Sequence, residues 1–88
     1  MSETIIRSSK ELGTQIKAAR QLAGLSQSDL ADISGCDQRQ ISRIETASHE
    51  SNLTLLLQVI SALDLDLAIT DRHGGKKQPR QNRPEDIF

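Results

Sequence analysis

The chain has 88 residues, of which 35% are hydrophobic, and its formal net charge is −1. This length allows one domain and leaves little room for an elaborate active site. A chain this small buries only roughly 60% of its unfolded surface when it folds alone, so we expect a dimer to supplement the core. No apolar run could span a bilayer, and residues 1–10 lack the layout of a signal peptide, so we expect a cytoplasmic protein with no membrane partner.

The first predicted helix begins after Ser8, which has capping-box spacing with Glu11. Apolar residues then recur on one face, so the helix is predicted to run from about Ser9 to Ala23. Gly24 follows as a left-handed stop, because glycine adopts a positive φ without steric cost.

A second helix is predicted from Gln27 to the residue before Gly35. Leu25 and Leu30 flank Ser26 at the spacing of a hydrophobic staple around an N-cap, which fixes the start of the helix. Gly35 then ends it. The residues expected to face inward are Leu30, Ala31 and Ile33.

The third predicted helix carries the side chains most informative about function. Asp37 repeats the N-cap signal with Gln40 at the capping-box position, so the helix is predicted from Gln38 to about Glu45. A narrow apolar stripe packs it and leaves a polar face available to a partner. That face carries Gln38, Arg39, Gln40, Ser42 and Arg43.

Two short capped helices around a glycine turn predict a DNA-reading helix-turn-helix. A helix fits the major groove of B-DNA, where Gln and Arg side chains form bidentate hydrogen bonds with adenine and guanine edges. The choice of Gln, Arg and Ser favours this interpretation over a merely solvated surface helix. The weak net charge does not exclude it, because DNA needs cations only where its phosphates lie.

After the third helix, Asn52 is a good N-cap for a fourth, whose leucine-rich sequence predicts burial on more than one face. From residue 64 to residue 70 the apolar period changes to two, which predicts a short strand with Leu65, Leu67 and Ile69 on one side. One strand cannot satisfy its own backbone, so we expect these residues to pair with the same strand of a second copy.

These elements predict an all-α fold of about four to five helices, with one short C-terminal β-strand that pairs across a dimer. Residues 1–8 are predicted to be an N-terminal arm, 9–71 the DNA-binding and dimerisation domain, and 72–88 a flexible basic tail. Ile87 and Phe88 in the tail are either incidental or an anchor for a partner's pocket. Phe88 is the only aromatic residue of the sequence.

Catalytic and metal chemistry are not predicted. Cys36 is the single cysteine, and His49 and His73 supply no metal-ligand spacing, so we expect neither a disulfide nor a metal or other cofactor. No Gly-x-Ser-x-Gly, phosphate-loop or metalloprotease motif is present. The sequence therefore predicts a protein that is not an enzyme.

A set of residues between 12 and 63 matches one known pattern: Leu12, Ile16, Gly24-Leu25-Ser26-Gln27, Leu30-Ala31, Gly35, Ile41-Ser42-Arg43-Ile44-Glu45 and the apolar stretch 56–63. In this pattern the chain resembles the Xre-type, or lambda-repressor-like, helix-turn-helix family. The resemblance implies that Gln27 contacts the phosphate backbone and supports Gln38 and Arg39, which read bases. By the same match, Ser28, Gln40, Ser42 and Arg43 would lie against DNA.

The continuation from residue 62 to residue 69, Ala-Leu-Asp-Leu-Asp-Leu-Ala-Ile, looks like the HipB-type antitoxins, in which a short strand pairs across the dimer. The resemblance implies operator binding ahead of the protein's own operon. It also implies that a HipA-type serine/threonine kinase toxin is held in an inactive complex.

We therefore expect a homodimeric repressor that places one helix of each copy in successive major grooves of double-stranded operator DNA. An antitoxin role is the favoured form of this hypothesis. The alternatives are a free-standing Xre-type regulator without a toxin partner and a protein-binding adaptor. The gene next to this one would distinguish the antitoxin from the free-standing regulator, and DNA binding at two salt concentrations would identify an adaptor.

Overall fold

The computed structural model describes residues 4–72, in which four helices follow one another: α1 (Ser9–Leu22), α2 (Gln27–Ser34), α3 (Gln38–Thr46) and α4 (Leu53–Ala62). The predicted all-α architecture is confirmed, with α1 ending one residue earlier and α3 one residue later than expected. No helix within residues 4–72 has the length and apolar character needed to cross a membrane.

Side-chain caps begin every helix where the sequence predicts. Each capping oxygen accepts a hydrogen bond from the backbone N–H three residues further on; the caps are Ser8, Ser26, Asp37 and Asn52. At Ser26 the box is closed by Asp29, which accepts from the Ser26 N–H at 2.9 Å, and this bond lowers the pKa of that carboxyl. Gln40 closes the box at Asp37, as predicted.

The core lies where the four helices meet, and its least exposed side chains are Ile16, Leu30, Ile41 and Val59. Leu30 and Ala31 face inward as predicted, but the prediction for Ile33 is wrong, because its side chain is 58% exposed. Ser34 takes the inward position instead. At about 100° per residue, position 34 lies between positions 30 and 31 on the helix, whereas position 33 lies outside that arc.

The leucines of α4 divide between the core and the surface. Leu55, Val59 and Ile60 are buried, while Leu53 is 66% and Leu57 45% exposed. The broad apolar surface predicted for this helix is therefore present, and within one chain only part of it is covered.

Residues 65–70 follow α4 without a helix or strand in the single chain. Leu65, Leu67 and Ile69 are 46%, 53% and 97% exposed. A strand that pairs only with a second copy has no partner within one chain, so the predicted strand and its dimer contact stay predictions. The predicted tail anchors Ile87 and Phe88 lie outside the described residues.

Ala47 ends α3 with φ 55° and ψ 35°, in the left-handed region that costs a side chain steric energy. Ala47→Gly should therefore raise the free energy of unfolding by roughly 0.5–1 kcal/mol, measured by urea denaturation. The matched control Ala18→Gly, on the exposed side of α1, should lower it by a similar amount. A loss at both positions would contradict the strain at Ala47.

Candidate nucleic-acid interface

The polar face of α3 is formed as the sequence predicts. Ile41 and Ile44 are buried, while Gln38 and Arg39 at the start of the helix are exposed. The half-buried residues of the face are Gln40, Ser42 and Arg43. Among the residues proposed from α2, Ser28 is exposed and Gln27 is half-buried. The face therefore offers two arginine cations and a set of amide and hydroxyl groups beside the α2 N-terminus.

Gln27 connects the first turn of α2 to both ends of α3. Its side-chain Nε2 donates to Glu45 Oε1 at 3.0 Å, and its Oε1 accepts a hydrogen bond from Gln38 Nε2. A carboxylate can only accept, so Gln27 must turn its NH₂ group to Glu45 and its oxygen to Gln38. Gln38 is thereby oriented, and its own Oε1 and one N–H have no hydrogen-bond partner within residues 4–72.

A buried ion pair anchors this arrangement in the core. Arg20 Nε lies 2.6 Å from Glu45 Oε2, and Arg20 Nη2 donates to Glu45 Oε1 at 3.2 Å. Arg20 Nη1 also donates to the Leu25 carbonyl at 2.8 Å. The two residues are only 8% and 5% exposed. The hydrogen bond to Glu45 raises the pKa of Arg20 above its ordinary value, so the guanidinium keeps its charge although it is buried.

Arg20, Glu45, Gln27 and Gln38 thus form one connected chain of hydrogen bonds, which we call the polar relay. It links α1, the first turn of α2 and both ends of α3. A buried ion pair is tolerated when further hydrogen bonds satisfy its polar atoms, and the relay supplies them. Its consequence is that a surface glutamine of α3 takes its orientation from a charge pair inside the protein.

Sequence reasoning missed the ion pair, although its positions carry a periodic signal. Arg20 lies four residues after Ile16, and Glu45 lies four residues after Ile41, so each charge falls on the packing face of its helix. A charged residue at a core position is normally paired. The sequence could therefore have indicated that each of these charges needs a buried partner, but not which residue that partner is.

Gly13 allows α1 to approach α3 closely. A Cβ atom built on Gly13 would lie 2.4 Å from the carbonyl oxygen of Ile44 and 2.6 Å from that of Glu45. Both atoms belong to the backbone, so no side-chain rotation could relieve the clash. Because Gly13 has no side chain, the Glu45 end of α3 can lie directly against α1, and Arg20 can reach Glu45.

Other chemistry has little support in residues 4–72. No group of three or more His, Cys, Asp or Glu side chains there could hold a metal ion. Burial, followed by the nearby charge of Asp37, raises the pKa of Cys36, which keeps this thiol protonated and weakly nucleophilic.

Comparison with known proteins agrees with this geometry. The helix-turn-helix family profile matches residues 16–69. A relative from Sinorhizobium fredii (strain NBRC 101917 / NGR234), described as an uncharacterized HTH-type transcriptional regulator y4dL, is 38% identical over 58 residues. The match covers 66% of this chain, which spans only 30% of the length of that relative.

Solved structures of similar shape include HipB proteins. A HipB variant in complex with an O2 20-mer has a TM-score of 0.75 and 30% identity, with 81% of this chain and 99% of that chain covered. HipB in a HipA–HipB–O2–O3 complex has a TM-score of 0.74 and 30% identity, covering 80% and 99% of the two chains. The restriction-modification controller protein C.AhdI from Aeromonas hydrophila has a TM-score of 0.63 and 29% identity, covering 66% and 88%.

Proposed function

This chain belongs to the helix-turn-helix family of Xre, or lambda-repressor-like, transcription regulators, and from that membership we propose that it is a homodimeric repressor that reads operator DNA with α3. The observation that carries the proposal is the polar relay. It holds the Gln38 amide in one orientation at the exposed start of α3. A side chain fixed before binding loses less entropy when it contacts a base.

The orientation of Gln38 favours adenine. Its free Oε1 can accept from the adenine N6 amino group while its remaining N–H donates to N7, which is the bidentate pattern that glutamine forms in the major groove. Arg39, exposed beside it, suits the N7 and O6 acceptors of guanine. We propose that these two residues read bases, and that Gln27, Ser28, Gln40, Ser42 and Arg43 position the helix on the backbone and the neighbouring bases.

The operator is expected to be pseudo-palindromic. Two copies, paired through the strand that carries Leu65, Leu67 and Ile69, would present α3 to half-sites about 34 Å apart or a multiple of that distance. The exposure of these three side chains in one chain supports the pairing, because a second copy would cover them. Nuclease protection of the DNA upstream of the gene should then show a two-fold symmetric footprint.

Base reading by α3 can be tested with Gln38→Ala and Arg39→Ala. Each should weaken binding to the footprinted operator by roughly 1–3 kcal/mol and weaken binding to random DNA far less, measured by fluorescence anisotropy at two salt concentrations. Gln58→Ala, which removes an exposed glutamine from α4, is the matched control and should change neither affinity. An equal loss on both DNAs would show that Gln38 and Arg39 contact only phosphates.

Gln27→Ala should behave differently from the base-reading variants. It removes the proposed phosphate contact and also frees Gln38, so operator and random DNA should both bind more weakly. The proposal of a positioning role fails if random DNA keeps its affinity.

The finer proposal is that the protein is a HipB-like antitoxin that represses its own operon and sequesters a HipA-like kinase. It is supported by the likeness to HipB at 30% identity, one of whose structures includes HipA. The similarity to a restriction-modification controller supports the alternative, a regulator without a toxin partner. A protein-binding adaptor without operator preference is the remaining alternative, and it should show no salt dependence of DNA binding.

The antitoxin role predicts a kinase-like gene beside this one and a stable complex between the two products. Co-expression should rescue cells from the toxicity of the kinase, and the kinase should co-purify with this chain. Phe88→Ala should reduce both effects if the tail enters a pocket of the partner. Rescue by operator binding alone, with no co-purification, would contradict sequestration.

A further inference from the structure

A second surface feature is an open groove between the C-terminal half of α2 and one side of α4. Its volume is about 610 Å³, and it shares no residue with the polar face of α3. Its lining includes Ile33 and Ser34 from α2, and Thr54, Leu57 and Ser61 from α4. Volumes of this order hold ligands the size of a few side chains.

The groove leaves apolar surface uncovered within residues 4–72. Its two large apolar side chains, Ile33 and Leu57, are 58% and 45% exposed and face the same open space. Covering exposed apolar side chains is favourable, so an occupant that brings large apolar side chains of its own would fit this groove.

We propose that this groove binds the segment 73–88 of the same chain, with Ile87 and Phe88 as its apolar anchors. They are the only large hydrophobic residues between 73 and 88. Sixteen residues can extend over roughly 50 Å, which exceeds the roughly 30 Å diameter of a small domain, so the groove is within reach. A tether of this kind keeps the anchors at an effective concentration of about millimolar, so even a shallow groove would be occupied.

Charge also favours this occupant. The segment 73–88 carries four basic and two acidic residues, whereas residues 4–72 carry seven basic and nine acidic ones. Asp32 lies in the groove itself. The segment and the body it docks on therefore attract each other, and the attraction should weaken with added salt.

Docking within the chain has a consequence for partner binding. If Ile87 and Phe88 occupy the groove of the free protein, a partner can bind them only in the fraction of molecules in which they are undocked. The apparent affinity of the partner is therefore reduced in proportion to that fraction. This consequence rests on the proposed sequestration of a partner. The groove itself does not depend on that role, because it can be tested on the protein alone.

The test places the photo-cross-linking residue p-benzoylphenylalanine at position 88 of the full chain. Isotopically heavy and light protein are mixed in equal amounts, unfolded and refolded together so that any dimers contain both, and then irradiated. The products are mapped by mass spectrometry. We expect most cross-links to fall within one chain, on residues 32–35 and 54–62. Leu57→Asp and Ile33→Asp should each lower this yield about fivefold. With a docking equilibrium constant of about one, about half of the molecules are docked, and a tenfold smaller constant leaves about a tenth docked.

Leu53→Asp is the matched control. Leu53 is also an exposed leucine of α4 but does not line the groove, so the yield should stay unchanged. Cross-links between heavy and light copies would assign the groove to a second copy and overturn the proposal. Cross-links scattered over the surface would also overturn the proposal. The same holds if both groove variants are folded by circular dichroism and give the same cross-linking yield as the parent protein.

Discussion

Glu45→Ala should lower the free energy of unfolding by roughly 3–5 kcal/mol, because it leaves the Arg20 guanidinium buried without its counter-charge. Arg20 is 8% exposed and would keep only its hydrogen bond to the Leu25 carbonyl. Small domains are stable by only about 5–15 kcal/mol, so the variant should be largely unfolded at mild urea concentrations. Urea denaturation followed by circular dichroism measures the loss.

A double variant separates the electrostatic contribution of the Arg20–Glu45 pair from the packing contribution of the two side chains. Arg20→Met combined with Glu45→Leu replaces both members by apolar side chains, and buried pairs replaced in this way often leave stability unchanged or increased. We expect the double variant to recover most of the stability lost in Glu45→Ala. If it is as unstable as the single variant, the ion pair contributes more to the fold than its apolar replacement can.

The same double variant tests whether the polar relay positions Gln38. With Glu45 replaced, Gln27 has no carboxylate to donate to, so the amide of Gln38 is free to rotate. We expect operator affinity to fall by roughly 1 kcal/mol in a folded protein, while affinity for random DNA changes less. If operator affinity is unchanged, the Arg20–Glu45 pair stabilises the fold but does not position Gln38 for DNA binding.

Gly13→Ala should destabilise the protein by roughly 1–3 kcal/mol, although alanine is the better helix former by about 1 kcal/mol. The added Cβ would lie 2.4 Å and 2.6 Å from two carbonyl oxygens of α3, so the backbones of α1 and α3 must separate. That movement draws Glu45 away from Arg20. The substitution should therefore weaken operator binding as well as the fold.

Gln15→Ala provides the control for Gly13→Ala. Gln15 lies on the exposed side of the same helix, where a change to alanine should alter stability by no more than about 0.5 kcal/mol. Thermal and urea unfolding of both variants would measure the difference. A Gly13→Ala protein as stable as its parent would mean that α1 and α3 can separate at little cost.

The helices and the polar face of α3 followed from local signals in the sequence. Ser26 and Asp37 satisfy backbone N–H groups within three residues of themselves, so their effect does not depend on the rest of the fold. Ile41 and Ile44 mark the packed stripe, and the polar residues between them fall outside it by helical geometry. The prediction for Ile33 is wrong because apolar character alone does not place a residue in the core, and position 33 lies outside the arc that Leu30 and Ala31 mark on the helix.

The sequence alone therefore determined where each helix begins, which family the chain resembles and which side chains lie on the polar face of α3, because these depend on neighbours a few residues apart. Only the tertiary structure decided that Arg20 and Glu45 form a pair across 25 positions, that Gly13 lets α1 approach α3, and that Gln27 orients Gln38. Such contacts depend on the packing of whole helices. Local propensity and spacing do not encode how close two backbones come, or which buried charges meet.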